Sequence, residues 1–212
     1  MKQLDEEWFE ARRGLITGSR VATVVNGGPR AWNTMLNKLA KEKTMTGAEL
    51  AAKQIDAASL SWGRKYEPIA KATYELMYNI ELDTPAFITN SAYPGCGYSP
   101  DGRWPLPQYG RLVEIKCPYR TVNHGANVLY RQGVKDYQPQ MQFGNMITMS
   151  HECDFVSFDR RYPDPDKRIV VIPVKADPVY IHEMESKITM FLGMLESGER
   201  FDLNSDKVPE LF

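Results

Sequence analysis

The sequence predicts an α/β protein in which a central mixed β-sheet is flanked by helices. Three observations predict it. The first third carries apolar residues at helical spacing, the middle shifts to a period of two around Pro and Gly turns, and the end returns to helix, strand, strand, helix. The predicted order is α, β, β, β, α, β, β, α. A chain of 212 residues, 42% of them hydrophobic, can bury one sizeable core, so a single domain over 1–212 is expected.

Taken in order, Ser19 stands where an N-cap would open a short helix carrying Val21, Val24 and Val25. Residues 31–43 set Met35, Leu36 and Leu39 on one face. Residues 44–61, rich in Ala and polar side chains, read as a helix or a mobile connector. A helix over 63–78 follows, with Tyr66, Ile69, Ala70, Thr73 and Met77 as its apolar face. Residues 86–89, 97–99 and 111–116 then read as three strands in a meander, broken by turns, the last break spanning 102–110. A helix is expected over about 136–149 with Pro139 in its first turn, then strands at 154–159 and 168–174. The last helix, 178–196, turns Ile181, Met184, Ile188, Leu192 and Leu195 inward.

Composition narrows the function. The N-terminus opens Met1-Lys2-Gln3-Leu4-Asp5-Glu6-Glu7, without the apolar core of a signal peptide, and apolar runs such as 169–174 are short, so a soluble, cytoplasmic protein with no membrane role is expected. Cys96, Cys117 and Cys153 are widely spaced and outside any CxxC pair, which points to reduced structural thiols. A net charge of −1 does not announce a polyanion binder, so positive charge facing DNA would have to be local. Carboxylates that hold metal would pull the total downward without weakening such a site.

The chemistry concentrates in Ser99-Pro100-Asp101-Gly102 and, twelve residues on, Glu114-Ile115-Lys116. Side chains alternate along a strand, so Glu114 and Lys116 share one face while Ile115 enters the opposite, apolar layer. Asp101, from the preceding turn, could reach that face. Two carboxylates suit hard Mg²⁺, with an ammonium beside them to orient or help deprotonate an attacking water. Taken alone, an ExK is a surface charge pair on an edge strand. His151-Glu152 and His182-Glu183 begin like HExxH, but Phe155 and Ser186 stand where the second histidine would be; His124 stands alone, and no GxGxxG or P-loop occurs.

The pattern resembles a known family. Pro100-Asp101 followed by Glu114-Ile115-Lys116 has the form of the PD-(D/E)xK nuclease signature. Around it, Trp8-x-x-x-Arg12-x-Gly14-x-Ile16-Thr17-x-Ser19, Trp62-Gly63-x-x-Tyr66-Glu67, Ser99-Pro100-Asp101-Gly102, Glu114-x-Lys116-Cys117-Pro118 and Tyr137-x-x-Gln140-x-Gln142 occur in the order found in lambda exonuclease and its YqaJ-like viral recombinase relatives. The resemblance implies a restriction-endonuclease-like core. It implies Asp101 and Glu114 as metal ligands with the Ile115 carbonyl, for two Mg²⁺ per site (Mn²⁺ as a substitute). Lys116, Glu67 and Gln140 are implied as catalytic, Arg12, Ser19 and Ser99 as the 5′-phosphate site, and Leu60 as a strand-separating wedge.

The same resemblance implies a 5′ to 3′ exonuclease on double-stranded DNA ends, releasing 5′-mononucleotides and leaving a 3′ overhang for phage-type recombination. It further implies a phage or prophage origin, a homotrimeric ring and a single-strand annealing protein as partner. Residues 1–62 would supply the DNA-end site, 63–200 the nuclease core and 201–212 a tail. Aromatic and apolar residues near the ends, among them Trp8, Phe9, Leu211 and Phe212, could lie exposed and bury against a neighbour; alternatively Trp8 and Phe9 cap the chain's own core and the tail is frayed. The turn 103–109 and Gln138-Pro139 depart from the family text. The alternatives are a restriction-like endonuclease with the same centre, or an inactive DNA-binding module, whose mark would be loss of Asp101, Glu114 or Lys116; none is lost.

Overall fold

The computed structural model describes residues 1–53, 57–105 and 110–203. Its main sheet has four strands in the order β3 (Gly102–Arg103), β4 (Leu112–Lys116), β5 (Glu152–Phe158), β6 (Ile169–Lys175). The β3–β4 and β5–β6 pairs are antiparallel and β4–β5 is parallel, with Glu114 opposite Phe155 and Lys116 opposite Ser157. The sheet is therefore mixed, as the sequence predicts.

A parallel β4–β5 pair needs a crossover, and this one is longer than expected: α6 (Thr121–Tyr130), α7 (Gln132–Asp136) and α8 (Gln138–Thr148), with Pro139 in the first turn of α8. The sequence reading found only α8, because α6 inverts the usual pattern. Its Val122, Leu129 and Tyr130 are exposed, while His124 and Asn127 are buried. The buried His124 ring is held by hydrogen bonds with Ser157 Oγ and the Lys167 carbonyl, both at 2.8 Å.

The expected meander is corrected as well. Residues 86–89 form no strand; Ile88 makes one isolated bridge to Tyr98. Phe87 lays its ring where a side chain of Gly97 would stand, so a glycine is needed there and the alternating pattern fails. The stretch read as a second strand is instead β2 (Cys96–Gly97), which pairs in parallel with β1 (Ile16–Thr17).

The N-terminal helices are α1 (Glu6–Ala11), α2 (Gly18–Asn26), α3 (Pro29–Glu42) and α4 (Gly47–Ala52). Asp5 caps α1 through the Trp8 N–H at 2.7 Å, and Thr46 with Glu49 forms a capping box on α4. The N-cap of α2 is Thr17, not Ser19. Of the expected helix or connector over 44–61, α4 and the start of α5 (Ala58–Tyr78) are helical and 54–56 lie outside the described residues. The boundary drawn at 62/63 falls inside α5.

Helix α5 turns Tyr66, Ala70 and Tyr74 inward, so its buried face is rotated from the expected one and Ile69 and Met77 are exposed. That face packs on Val113, Ile115, Val156 and Phe158. The other side of the sheet is covered by α2, α3, α8 and α9 (Pro178–Ser197), joined by Trp32, Leu36, Phe143, Phe155 and Phe191. Each such side chain contributes roughly 1.5–3 kcal/mol on burial, so β4 is clamped between two layers. In α9 Met184, Ile188 and Leu195 are buried as expected, Phe191 joins them, and Ile181 and Leu192 are partly buried. Among the described residues no helix is long and apolar enough to cross a membrane.

Candidate active site

Glu114 is buried on β4, and its carboxylate is held from three sides. Oε2 accepts from the Tyr98 hydroxyl at 2.8 Å; Oε1 accepts from Gln140 Nε2 of α8 at 2.6 Å and from Lys116 Nζ. The Tyr98 ring fits because Gly18 and Gly144 lack side chains: a Cβ on either would stand within 2.9 Å of it. Asp101 Oδ2 accepts from the Ile115 N–H at 2.7 Å. In an extended strand the N–H and C=O of one residue point to the same edge, which puts the Ile115 carbonyl on the Asp101 side.

Glu67 reaches the same group from α5. Burial, and then the Glu114 charge against the opposing pull of Lys116, raises the Asp101 carboxyl well above its ordinary value. Burial also raises Glu67. Burial alone would lower Lys116, but Glu114 and then Asp101 hold its ammonium above the usual range. Three carboxylates thus face one ammonium. The excess negative charge and the all-oxygen donors fit a hard divalent cation. Among the described residues no three His, Cys, Asp or Glu side chains are grouped to hold a metal by themselves.

A cleft of about 690 Å³ opens over this centre, lined among others by Leu60, Arg64, Glu67, Lys116, Tyr119 and Tyr137. Leu60 is half exposed at the start of α5, on the cleft wall. Cys117 lines it too, with its thiol pushed up to about 12 by burial and then by Glu67.

Two residues before Asp101, Ser99 belongs to a second constellation. Arg12 Nη1 donates to Ser99 Oγ at 2.9 Å and Nη2 to Thr17 Oγ1 at 3.4 Å; Ser19 Oγ lies 3.5 Å from Thr17 Oγ1. The structure therefore brings Arg12, Ser19 and Ser99 together. The guanidinium stacks 3.9 Å over the ring of Trp8, whose Nε1 donates to Ser99 Oγ and the Ala86 carbonyl, each at 3.0 Å. Burial and the nearby Arg20 charge lower Arg12 to about 10, against the pull of Glu42. Arg20 pairs with Glu42 at 2.7 Å, whereas the side-chain partners of Arg12 are two hydroxyls and the rings of Trp8 and Phe87.

For Trp8 the second of the two expectations holds. It is buried as the floor beneath Arg12 rather than exposed for a neighbour; Leu211 and Phe212 lie outside the described residues, as do 106–109 of the 103–109 turn. Sequence reasoning also missed Tyr98 and Thr17 as site residues. Thr17 stands inside the Arg12 to Ser19 motif but is given no role there, and Tyr98 carries no motif that names its partner Glu114, sixteen residues on.

The family model of the YqaJ-like viral recombinase domain matches residues 7–151. The chain belongs to that family. Among solved structures, an alkaline exonuclease from Laribacter hongkongensis, LHK-Exo, is 33% identical to this YqaJ-like chain, with a TM-score of 0.76 over 92% of this chain and 94% of its own. The complex of LHK-Exo with dAMP aligns at 32% identity and a TM-score of 0.77 over the same shares. A phage related exonuclease from Haemophilus somnus 129PT, 13% identical, shares the fold at a TM-score of 0.65 over 86% of this chain and 94% of its own. No match was found among curated proteins. The nuclease-type core expected from PD…ExK is the core observed.

Proposed function

We propose that this chain is a Mg²⁺-dependent exonuclease that digests the 5′-phosphorylated strand of a DNA duplex from its end. One observation carries the reading: a centre short of positive charge and a pocket short of negative charge sit on one turn, with Asp101 and Ser99 two residues apart. Two residues span at most about 7 Å of chain, the scale of one nucleotide. A 5′-phosphate bonded by Arg12, Ser99 and Ser19 would set the next phosphodiester at Asp101 and Glu114. Hydrolysis there releases a 5′-mononucleotide and leaves a 3′ overhang.

Asp101, Glu114 and the Ile115 carbonyl would hold the metal, two ions in the full site, with Mn²⁺ as a substitute. Bound there, the metal would lower the pKa of a water and neutralise the phosphate. Lys116, as an ammonium, donates to the phosphate or orients the attacking water. Gln140 fixes the Glu114 carboxylate, and Glu67 closes the group from α5. Leu60 at the cleft wall is placed to part the strands. Local positive charge answers the net charge of −1: residues 115–135 contain Lys116, Arg120, Arg131 and Lys135 and no acid. The alkaline exonuclease activity named for LHK-Exo supports the reading. We extend it to a phage-encoded recombination system in a bacterial cytoplasm, with a homotrimeric ring and a single-strand annealing protein as partner.

The test is digestion of a linear duplex labelled separately at each 5′ end, with one end phosphorylated, with and without Mg²⁺, beside a covalently closed circle. Mononucleotides released first from the phosphorylated end, only with metal and never from the circle, are expected. Cutting of the circle would replace the exonuclease by an endonuclease.

A further inference from the structure

We infer that Tyr119 is a stacking platform for a nucleobase of the bound DNA, a base-contact subsite in the wall of the cleft. The inference rests on the nuclease reading above and adds the group that a base, rather than a phosphate, would meet.

Tyr119 lies three residues past Lys116, lines the same cleft, and is half exposed at 50%. A tyrosine that merely completed a core would be covered. Its exposure is combined with unusual restraint of its backbone. Arg161 Nη2 donates to the Pro118 carbonyl at 3.2 Å and to that of Tyr119 at 2.9 Å. Arg161 is itself fixed by the buried Asp159, through Nε to Oδ1 at 2.8 Å and Nη2 to Oδ2 at 2.9 Å. The same guanidinium stacks 4.0 Å over Trp62 of α5, whose ring packs on Tyr66 at 4.2 Å and meets the Tyr119 ring edge-on at 5.9 Å and 83°. A perpendicular contact can cover at most one face of the Tyr119 ring, so at least one face is left uncovered by Trp62.

A rigid aromatic face on a cleft wall suits a flat π-system, and the charge around it selects which. Arg120 follows Tyr119, Lys116 precedes it and Arg64 faces them across the cleft, whose acids are Glu67 and, further along, Asp136. Aromatic faces interleaved with cations bind nucleic acid by stacking bases while the cations track the backbone, and such stacking tolerates any base because every base has a π-face. An aromatic peptide would gain the stacking but not the cations.

The experiment measures binding of duplexes, in a cleavage-deficient Asp101→Asn background, in which one abasic nucleotide is stepped through the first six positions from the 5′-phosphorylated end. The tyrosine is kept, or replaced by Phe or Ala. At one position removing the base should weaken binding about tenfold with Tyr119 or Tyr119→Phe and not at all with Tyr119→Ala. Equal weakening of every duplex by Tyr119→Ala, or none, overturns the inference. Thermal melts of each variant separate lost contact from lost fold. Digestion by the otherwise unaltered protein is measured in parallel. Coupling at one position without any digestion would leave the base subsite standing and remove the nuclease reading; digestion without coupling would do the reverse.

Discussion

At the end of β4 three carboxylates surround one ammonium, while on the neighbouring turn one guanidinium sits among hydroxyls and an indole. Elsewhere in the chain buried charge is matched from within: Arg20 by Glu42, Arg161 by Asp159, Arg111 by Glu152 and Asp154. A buried unmatched charge costs several kcal/mol by order of magnitude, and on the function proposed above the centre and the pocket are each completed by a ligand. The signs tell which ligand goes where. On that reading the centre takes a cation and the pocket an anion, and a DNA end would bring the second while helping to hold the first.

The largest effect should come from the centre. Asp101→Asn, Glu114→Gln and Lys116→Ala are each expected to cut turnover on the order of 10³-fold with folding intact. A melt without DNA sharpens the comparison. Burial and then Glu114 raise the folded Asp101 carboxyl above 3.8, so its contribution favours the folded state at acid pH and is lost as pH rises. In chelator, Asp101→Asn should therefore melt above the unaltered protein, by a margin that widens from about pH 4 upward. Mg²⁺ should raise the melting temperature of the unaltered protein and leave the variant unmoved. A variant that melts lower at every pH would mean the centre is balanced without metal.

Next is the pocket. Arg12→Ala should shrink the preference for 5′-phosphate over 5′-hydroxyl ends by roughly ten- to a hundredfold, since a charge-assisted hydrogen bond is worth about 1.5–3 kcal/mol. Inorganic phosphate should raise the melting temperature of the unaltered protein but not of Arg12→Ala. If both ends are cut equally fast before any mutation, the pocket serves another anion and the comparison breaks there.

A smaller effect, severalfold in kcat with KM little changed, is expected for Gln140→Ala. Its amide only orients Glu114 Oε1, and Lys116 and Tyr98 still hold that carboxylate. A loss as deep as that of Lys116→Ala would mean the amide touches substrate.

The two regions also differ in how far the sequence revealed them. Glu114 and Lys116 are two apart on one strand, so period-two alternation alone puts them on one face, and Asp101 follows from a short turn. The pocket is assembled from residues 12, 19 and 99, which only the family motifs bring together. The helices α5 and α9 are legible because they are long and periodic; α6 is not, because it exposes its apolar residues and buries His124 and Asn127. The β1–β2 pair spans two residues per strand, too short for a period. Tyr98 braces Glu114 only because Gly18 and Gly144, from two distant helices, leave it room.

The smallest effect separates two roles for one hydroxyl. Ser19 reads from sequence as an N-cap, but Thr17 holds that position and makes no side-chain capping bond, leaving Ser19 exposed in the first turn of α2. An N-cap serine replaced by alanine costs about 1 kcal/mol; a surface substitution away from a cap stays within about 0.5 kcal/mol. Ser19→Ala should therefore leave the melting temperature nearly unchanged. Its hydroxyl, 3.5 Å from Thr17 Oγ1 and so beside the group that Arg12 contacts, should still matter to a bound phosphate. A bond to a phosphate is charge-assisted, but Ser19 is exposed and water competes for it, which brings its worth to about 0.5–1.5 kcal/mol, so the 5′-phosphate preference should fall only about two- to tenfold, less than for Arg12→Ala. An unchanged preference with a lower melting temperature would return Ser19 to the helix and leave the pocket to Arg12 and Ser99.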